Sequence, residues 1–456
     1  MAERTAERDV RHDAVDARAL DEVVTFTSDL IRIDTTNRGG GDGNERPAAE
    51  YVAQQLSDAG IEAQIVESAP GRANVLARIA GSDPAADALL VHGHLDVVPA
   101  EAADWTVHPF SGEIRDGVVW GRGAIDMKNM DAMVLATVRA WARTGHRPTR
   151  DIVLAFTADE EDSASYGSGF LTEKHADFFE GCTEGISESG AFTFHANDDL
   201  RIYPVAAGER GTAWLKLTAH GKAGHGSKVN RDNAVSRLAG AIARIGEYDW
   251  PVRLTATVTA ALTELAALYG VPADQAALDD VDTLLERLGA AADLVRPTVR
   301  NSANPTMLQA GYKVNVIPGS ATAYVDGRML PGAEDEFAAT MDRLTGPDVD
   351  WEFHHREIPL QAPVDSPTYA AMRESLEHFD PQAHVVPYCM SGGTDAKQFS
   401  RLGITGYGFS PLRLPPGFDY QALFHGVDER VPVDALHFGV HVLDRFLRAT
   451  GTEAGA

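Results

Sequence analysis

The sequence predicts an α/β protein with a mostly parallel sheet flanked by helices and an inserted α+β two-layer domain. Three observations predict this class. In the first part of the chain, short apolar runs alternate with segments of helical periodicity, which is typical of a parallel sheet. Near Gly208 the pattern changes to a βα…ββαβ order, as expected for a small separate sandwich. At 456 residues the chain is also too long for one compact domain.

The first elements follow from local patterns. Apolar periodicity predicts helices, and the second begins at a proline, a residue favoured at the first helical position. The predicted helices are 19–33, 47–59 and 131–144. Apolar runs without polar alternation predict buried strands of a parallel sheet. The predicted strands are 62–66, 74–79, 88–91 and 152–157.

The middle of the chain predicts the second domain. Alternating polarity indicates strands with one exposed face, at 214–220, 304–311, 321–329 and 349–355. Helices are predicted at 233–248 and 334–344, and an Ala/Leu/Asp-rich helical insertion at 256–301. Helices 368–379 and 433–450 then return to the first domain. We therefore expect a first domain formed by 1–210 and 359–456 and an inserted domain formed by 211–358.

Composition limits the partners. The net charge of −27 argues against nucleic acid and anionic membranes, which require clustered Lys and Arg. The two cysteines, Cys182 and Cys389, form no CxxC pair, so a disulfide scaffold or a thiolate metal site is not expected. The N terminus is charged and contains no apolar signal-peptide region, and no apolar stretch is long enough to span a membrane. These features predict a soluble, cytoplasmic protein.

Histidine and carboxylate side chains follow several apolar runs. They are His94 and Asp96, Asp126, Glu160 and Glu161, Glu188, and His425. Since the carboxyl ends of parallel strands meet at one crevice, these groups are expected to converge there. So many acidic groups repel one another unless divalent cations lie between them, which indicates a metal-dependent hydrolase. Individually, each group has an alternative interpretation, for example a helix N-cap for Asp126 or an acidic turn for Glu160 and Glu161.

Other catalytic signatures are missing. The sequence contains no Gly-x-Ser-x-Gly motif and no His-Glu-x-x-His motif, which disfavours a serine hydrolase and a mononuclear zinc protease. Asp126 stands where the third glycine of a phosphate-binding loop would be, which disfavours a nucleotide site.

Six short motifs, taken together, resemble one enzyme family. They are His92-Gly-His-Leu-Asp-Val-Val-Pro99, Gly121-Arg-Gly-Ala-Ile-Asp-Met-Lys128, Thr157-Ala-Asp-Glu-Glu161, Gly224-His-Gly-Ser227, Asn315-Val-Ile-Pro318 with Asp326-Gly-Arg328, and Ser391-Gly-Gly-Thr-Asp395. In this order they resemble the di-zinc amidohydrolase and exopeptidase family of carboxypeptidase G, aminoacylase, acetylornithine deacetylase and succinyl-diaminopimelate desuccinylase. The resemblance covers nearly the whole chain and implies a zinc-exopeptidase-like catalytic domain with an inserted lid.

The resemblance also implies roles for these acidic and imidazole groups. Asp126 would bridge two metal ions. His94 and Glu188 would complete one metal site, and Glu161 with His425 the other. Glu160 would activate the bridging water, and Asp96 would orient His94. The ligand set contains no thiolate and suits Zn²⁺, with Co²⁺ or Mn²⁺ as alternatives.

The proposed lid carries further implied site residues. His225 would stabilise the oxyanion, reaching the partner's site in a homodimer, and Arg328 and Asn304 would bind a substrate carboxylate or carbonyl. Gly392, Gly393 and Thr394 would form a backbone loop beside that carboxylate. His225 could instead be a loop histidine without a role, and Arg328 or Asn304 could instead be a structural hydrogen-bonding residue. The 256–301 insertion exceeds the compact lid of the bacterial deacylases and is similar to the longer carboxypeptidase S-like and aminoacylase-like branches, which leaves the dimer geometry open.

The resulting functional expectation is hydrolysis of an amide bond beside a free carboxylate. The substrate would be a small molecule, either an N-acyl amino acid or a short peptide. Two alternatives remain at this point: a dipeptidase or carboxypeptidase S-like enzyme rather than a deacylase, and a non-catalytic binding protein on the same scaffold.

Overall fold

The computed structural model describes residues 15–197 and 200–451, which form two compact units. The first unit contains the described residues up to Ala206, Ala362–Pro387 and the described residues from Thr394 onward. The second contains Ala207–Gln361 and Tyr388–Gly393. The prediction that the N terminus contains no signal-peptide region concerns residues outside the described range.

The elements up to the end of β9 alternate between helices and strands. The helices are α1 (Ala17–Arg32), α2 (Arg46–Asp58), α3 (Lys128–Thr144) and α4 (Ser168–Lys174). The strands are β1 (Ala63–Ala69), β2 (Arg72–Ile79), β3 (Ala88–His94), β4 (Glu113–Arg115), β5 (Val118–Trp120), β6 (Ile152–Thr157), β7 (Cys182–Ser187), β8 (Phe194–His195) and β9 (Arg201–Glu209).

The later elements belong first to the second unit and then mainly to the first. The second unit has helices α5 (Ala234–Gly246), α6 (Ala256–Leu268), α7 (Gln275–Asp279), α8 (Val281–Arg287) and α9 (Glu334–Thr345). Its strands are β10 (Gly211–His220), β11 (Gly224–His225), β12 (Ser302–Ala310), β13 (Val316–Ile317), β14 (Ser320–Met329), β15 (Val349–Arg356) and β16 (Leu360–Gln361). The last elements are α10 (Pro367–Phe379), β17 (His384–Met390), α11 (Ala396–Phe399), β18 (Thr405–Gly408), α12 (Tyr420–Leu423), β19 (Arg430–Pro432) and α13 (Val433–Ala449).

The main sheet confirms the predicted fold class. Its centre runs in the order β6-β3-β7-β18, and these neighbours pair in parallel. Every residue of β3 and β6 is buried, as their unbroken apolar sequences predict. The carboxyl ends of the four strands therefore meet at one edge of the sheet.

Both edges of this sheet are antiparallel, since β9 runs antiparallel to β18 and to β16 at the edge opposite to β1 and β2. β1 and β2 form a hairpin around Gly71, whose φ of 82° suits glycine, and β2 runs antiparallel to β6. A parallel connection needs a crossover of about a dozen residues or more. The connection between β1 and β2 is too short for a crossover, so these two strands form an antiparallel hairpin.

The second unit contains a four-stranded antiparallel sheet in the order β12-β14-β10-β15. Alternate residues of β10, such as Leu215 and Leu217, form a core with Leu238 of α5 and Phe337 of α9. These helices thus cover one face of the sheet, and β12 is an edge strand.

A three-stranded sheet in the order β19-β5-β4 belongs to the first unit and was not predicted. Arg430 of β19 pairs with Trp120 of β5, and its guanidinium lies over the indole ring, 4.9 Å from the centroid. This sheet holds the chain just after His425 beside the chain just before Asp126. Within the described part of the chain, no helix is both long and apolar enough to cross a bilayer.

Candidate metal centre

The acidic and imidazole groups lie at the carboxyl edge of the main sheet. His94 is the last residue of β3, Glu188 directly follows β7, and Glu160 and Glu161 follow β6 after two residues. Parallel pairing of β3 with β6 and β7 brings these side chains to one place. The strand order therefore accounts for a cluster drawn from distant parts of the sequence.

Asp126 lies between two histidines. Its Oδ1 is 3.1 Å from Nε2 of His94, and its Oδ2 is 3.3 Å from Nε2 of His425. Each carboxylate oxygen thus faces a different imidazole. A carboxylate in this position is suited to ligating two cations at once.

The remaining carboxylates extend the cluster on both sides. Glu188 Oε1 lies 3.8 Å from Nε2 of His94, and Glu161 Oε2 lies 3.1 Å from Nε2 of His425. Ligand atoms of His94, Asp126 and Glu161 lie within 4.8 Å of one another, as do those of His94, Glu160 and Glu188. His94 belongs to both groups, so these side chains form one continuous set of oxygen and nitrogen donors.

The orientation of His94 suits a metal ligand. Its Nδ1 is 2.9 Å from the carbonyl oxygen of Asp96, to which it donates. In the neutral ring, Nε2 then carries the lone pair and faces the carboxylates. A ligating histidine usually donates its other ring N–H to such an acceptor.

The electrostatics of the cluster also fit divalent cations. Burial raises the pKa of Glu160, Glu161 and Glu188, and neighbouring carboxylates raise each further. Burial alone lowers the pKa of His94, but the hydrogen bond with Asp126 and the charges of Glu188 and Glu160 raise it well above the usual value. Among the described residues, the buried Oε1 of Glu161 has no hydrogen-bond partner. Excess negative charge and an unpaired buried oxygen are what two bound cations would neutralise.

The carboxylate of Asp96 holds the loop that carries Glu160 and Glu161. It is completely buried and accepts both of their backbone amides at 3.1 Å, while Asn37 donates to it at 2.9 Å. Its Oδ1 lies 3.7 Å from Nδ1 of His94, farther than the carbonyl oxygen of the same residue. Asp96 therefore contacts His94 mainly through its main chain and supports the acidic loop through its side chain.

Two supporting residues were not predicted from the sequence. Asn37 donates to both Asp96 and Asp159, and Glu429 accepts backbone amides of the loop before Asp126. Asn37 stands in a polar, glycine-rich segment, where nothing local indicates burial. Glu429 follows His425 by four residues, but this spacing does not indicate that its side chain is buried.

The second unit carries His225, Asn304 and Arg328. Asn304 of β12 is opposite Asp326 of β14, and Arg328 follows Asp326 by two residues. The side chains of Asn304, Asp326 and Arg328 therefore share the face of the sheet away from α5 and α9. Arg328 already pairs with Asp326, through Nε to Oδ1 at 2.8 Å and Nη2 to Oδ2 at 3.2 Å. Its guanidinium is therefore oriented by a carboxylate of its own strand.

His225 is exposed on β11, and its environment selects a tautomer. The backbone N–H of Ser227 donates to its Nδ1 at 3.2 Å, and the Ser227 hydroxyl lies 2.8 Å from the same atom. Because Nδ1 accepts a hydrogen bond, the neutral ring carries its proton on Nε2. His225 is thus prepared to donate from Nε2.

The candidate backbone loop follows β17 and is divided between the units. Gly392 and Gly393 belong to the second unit and Thr394 to the first. A Cβ placed on Gly392 would meet no heavy atom within 4 Å. The next residue, Asp395, accepts hydrogen bonds from Thr157 and Ser168 and so ties this loop to the end of β6.

The sequence matches one family profile along most of its length. The matched residues are 90–449, and the family is described as Peptidase family M20/M25/M40. The matched range begins within β3 and includes every residue of the candidate metal centre.

Two curated human proteins illustrate the sequence similarity. The chain is 27% identical over 390 residues to N-fatty-acyl-amino acid synthase/hydrolase PM20D1, which covers 82% of this chain and 76% of that protein. It is also 27% identical over 444 residues to aminoacylase-1, covering 93% of this chain and 94% of that protein.

Solved structures share the fold. The M20 family metallo-carboxypeptidase Sso-CP2 from Sulfolobus solfataricus superposes with a TM-score of 0.71 at 20% identity, covering 94% of this chain and 99% of that one. The Bacillus subtilis protein YXEP, described as a dinuclear metal binding peptidase, superposes with a TM-score of 0.60 at 13% identity, covering 95% and 98%. At these identities the likeness concerns the architecture.

Proposed function

This chain belongs to Peptidase family M20/M25/M40, a family of metal-dependent amide hydrolases, and from that premise we propose that it cleaves an amide bond next to a free carboxylate. The substrate is an N-acyl amino acid or a short peptide. The observation that carries the proposal is Asp126, whose two carboxylate oxygens face His94 and His425 with Glu160 nearby, its Oε2 3.9 Å from Nε2 of His94.

Two divalent metal ions would be held by five residues. Asp126 is the shared ligand, His94 and Glu188 complete one site, and Glu161 and His425 the other. The donors are imidazole nitrogens and carboxylate oxygens without thiolate, which suits Zn²⁺ and also accommodates Co²⁺ or Mn²⁺. Bound there, the ions supply Lewis acidity, which lowers the pKa of water and polarises a carbonyl group.

Glu160 acts as the general base. Its burial and the nearby charges of Glu188 and Glu161 favour the protonated carboxyl, so it readily accepts a proton. It takes one proton from the attacking water as the new C–O bond forms. It then gives that proton to the leaving nitrogen as the C–N bond breaks, and the products are a carboxylic acid and an amine.

His225 stabilises the negative charge that develops on the carbonyl oxygen. Its Nδ1 accepts from Ser227, so Nε2 presents the N–H that such an oxygen requires. We place this contribution in the metal centre of a partner subunit, with the second unit acting as the lid and dimerisation domain.

Arg328, Asn304 and the loop Gly392–Thr394 bind the free carboxylate of the substrate. Asn304 and Arg328 share one face of the sheet, and Asp326 holds the guanidinium in a defined orientation. A guanidinium supplies directional donors to a carboxylate. Because Asp326 already occupies one side of this guanidinium, amide donors from Asn304 and the loop would complete the contact.

A homodimer is supported by the exposed surface of the second unit. The edge strand β12 exposes Met307 and Leu308, by 52% and 62%. Tyr312 and Val229, close in sequence to the β13 and β11 strands that pair beside His225, are 83% and 94% exposed. An unpaired strand edge with apolar side chains favours pairing with a second chain.

A cytoplasmic location is proposed from the thiols. Cys182 and Cys389 are both buried and free, which suits a reducing compartment.

The names of the relatives indicate two different substrate classes. PM20D1 and aminoacylase-1 are named for acyl-amino acids, whereas Sso-CP2 is named as a carboxypeptidase. A dipeptidase or carboxypeptidase activity is therefore the second candidate.

The deciding experiment uses Zn²⁺- or Co²⁺-reconstituted protein and a paired substrate panel. The panel contains short- and long-chain N-acyl amino acids and dipeptides, each beside its C-terminal amide, with products identified by mass spectrometry. We expect metal-dependent cleavage of one class of free acids, little cleavage of the amides, and none by chelated protein. Equal cleavage of acids and amides would contradict the carboxylate requirement, and no cleavage with two metals bound would overturn the proposed reaction in favour of a binding protein.

A further inference from the structure

Glu429 organises the loop that delivers Asp126. Its side chain is completely buried. Four of the six backbone amides in the loop 121–126 donate to Glu429. The amide of Gly121 donates to the carbonyl oxygen of Glu429 at 2.9 Å, and the amide of Gly123 donates to its Oε2 at 3.0 Å. The amides of Ile125 and Asp126 donate to its Oε1 at 2.8 and 3.2 Å. The loop therefore takes most of its hydrogen bonds from one distant residue.

The loop needs such external contacts. Gly121 and Gly123 have φ values of 145° and 91°, a region that glycine reaches easily and other residues avoid. Glycines also increase the number of conformations that the unfolded loop can adopt. The hydrogen bonds to Glu429 select the one conformation that presents Asp126.

Arg122 connects the same carboxylate to the other ligand-bearing segment. Its Nη1 lies 2.7 Å from Oε2 of Glu429, and its Nη2 donates to the carbonyl oxygen of His425 at 3.4 Å. The guanidinium is also covered by Trp105, with 5.1 Å to the ring centroid. Arg122 and Glu429 thus touch the main chain on both sides of the contact between Asp126 and His425.

The segment after His425 is fixed in the same way. Asp428, at a φ of 59°, accepts from the backbone amide and hydroxyl of Thr106 at 2.7 and 2.6 Å. His425 itself has a φ of 55°, which is uncommon for a non-glycine residue. Neighbouring contacts must therefore hold its backbone, and those of Asp428 and Glu429 are available to do so.

We propose that Glu429 is a positioning residue that, with Arg122, fixes Asp126 and His425 relative to each other and thereby sets the affinity of the metal site that these two residues share with Glu161. The proposal rests on the metal ligands assigned under the proposed function. Glu429 touches no reacting atom in this scheme. Its effect reaches the metal site through the main chain of two ligands.

The test compares metal binding by Glu429→Gln with that of the wild-type protein. Glutamine keeps the size of the side chain but directs an N–H₂ group at backbone donors or at Arg122, so one set of hydrogen bonds is lost. Bound Zn²⁺ or Co²⁺ is counted by elemental analysis after desalting, and both affinities are measured by calorimetric titration of the metal-free protein. Replacing a residue that supports a metal ligand typically weakens binding about 10- to 100-fold.

A matched control and a milder variant keep the result interpretable. Asp380 is buried and pairs with Arg201 at 2.7 Å, with Tyr203 donating at 2.9 Å, so Asp380→Asn breaks a similar ion pair that involves no assigned ligand. Glu429→Asp keeps the charge beside Arg122 and shortens the side chain, so it cannot reach all of the amides. This variant replaces Glu429→Gln if the latter does not fold.

We expect the Glu429 variants to bind the ion of the Glu161 and His425 site at least about tenfold more weakly and to retain a wild-type circular dichroism spectrum. The site of His94 and Glu188 should be weakened less, because Asp126 is its only displaced ligand. Asp380→Asn should bind both ions as the wild type does, even where its Tm is lower. Wild-type affinity for both ions in the Glu429 variants, or the same loss in Asp380→Asn, would overturn the positioning role. If the wild-type protein itself bound fewer than two ions, the ligand assignment under the proposed function would fail instead.

Discussion

The polar groups assigned to the two units differ in how they are held. In the first unit, His94, Asp126 and Glu188 are buried, and other side chains and main-chain atoms support them. The ligand His425 is the exception, with a side chain that is 56% exposed. In the second unit, His225 and Asn304 are exposed and Arg328 is only half-buried. The first group has its geometry before any substrate arrives, whereas the second faces solvent.

This difference indicates whether each set of side chains serves to hold cations or to meet a substrate or a partner. Groups that hold cations must be placed accurately, and the folded chain supplies that placement in advance. Groups that meet a substrate or a partner must stay accessible until binding. Variants of the assigned metal ligands should therefore affect chemistry and metal content, and variants in the second unit should affect chemistry alone.

The largest expected effect comes from Glu160→Gln. Glutamine cannot accept the proton of the attacking water, so kcat should fall roughly 10³- to 10⁴-fold. Because Glu160 is assigned as base rather than ligand, the variant should still bind two ions. Steady-state kinetics with elemental analysis of the same sample checks both expectations.

The control for this prediction is Glu173→Gln, which changes an exposed glutamate of the same unit. It should leave kcat and metal content unchanged. Near-normal turnover in Glu160→Gln would remove Glu160 from the mechanism. Loss of an ion in that variant would instead make Glu160 a ligand, which its proximity to His94 and Glu188 would then explain.

A smaller effect is expected from His225→Ala. Removing one donor to a developing oxyanion typically lowers kcat about 10²- to 10³-fold, without a change in metal content. His220→Ala is the matched control, because His220 is also an exposed histidine of the second unit. A fall in kcat shared by both variants would assign the loss to the surface rather than to His225.

Mixed dimers test whether His225 acts on a partner subunit. A dimer of one Glu160→Gln subunit and one His225→Ala subunit has a complete site only if His225 is supplied by the partner. Coexpression with two affinity tags isolates this species. Recovered activity per mixed dimer would support action across the dimer, and no recovery would place His225 in its own subunit's site or outside the mechanism.

The fold class was predictable because buried strands such as β3 and β6 are encoded locally, although no strand was predicted at β9 or β18. The unbroken apolar run 152–157 predicted β6 with its observed bounds, and the acidic pair after it was placed at the correct edge of the sheet. The antiparallel hairpin of β1 and β2 was less evident, because only the shortness of their connection distinguishes it.

The supporting contacts of the site were not predictable. Glu429 belongs to an acidic pair that reads as an ordinary surface turn, and its burial depends on Arg122, which is 307 residues away in the sequence. Similarly, the resemblance assigned Asp96 to orient His94, while its carboxylate holds the amides of Glu160 and Glu161. Such roles depend on long-range packing, which residue type and spacing do not encode.

The smallest expected effect is a change in the stability of the metal-free protein with pH, and this change depends on groups of the first unit. The raised pKa values of Glu160, Glu161 and Glu188 mean that the metal-free folded state holds protons that the unfolded state releases above about pH 4.5. Hydrogen bonds with Asp126 and then Glu161 raise the pKa of His425 to about 10, so its stabilising contribution is complete below pH 6.5 and is lost as the pH rises towards 10. Both effects lower the stability of the metal-free protein as the pH increases.

Metal binding should reverse this dependence. Bound cations replace the protons, and their ligands deprotonate more readily at higher pH, so the Tm difference between loaded and metal-free protein should widen from about pH 5.5 to about pH 8.5. Differential scanning calorimetry of chelated and reconstituted samples measures it, and Asp380→Asn, which leaves the cluster intact, should show the same widening. A difference that stays constant or narrows would mean that the buried carboxylates are not the metal ligands. The exposed groups of the second unit contribute little to this difference, because solvent already satisfies them, so the measurement reports on the first unit alone.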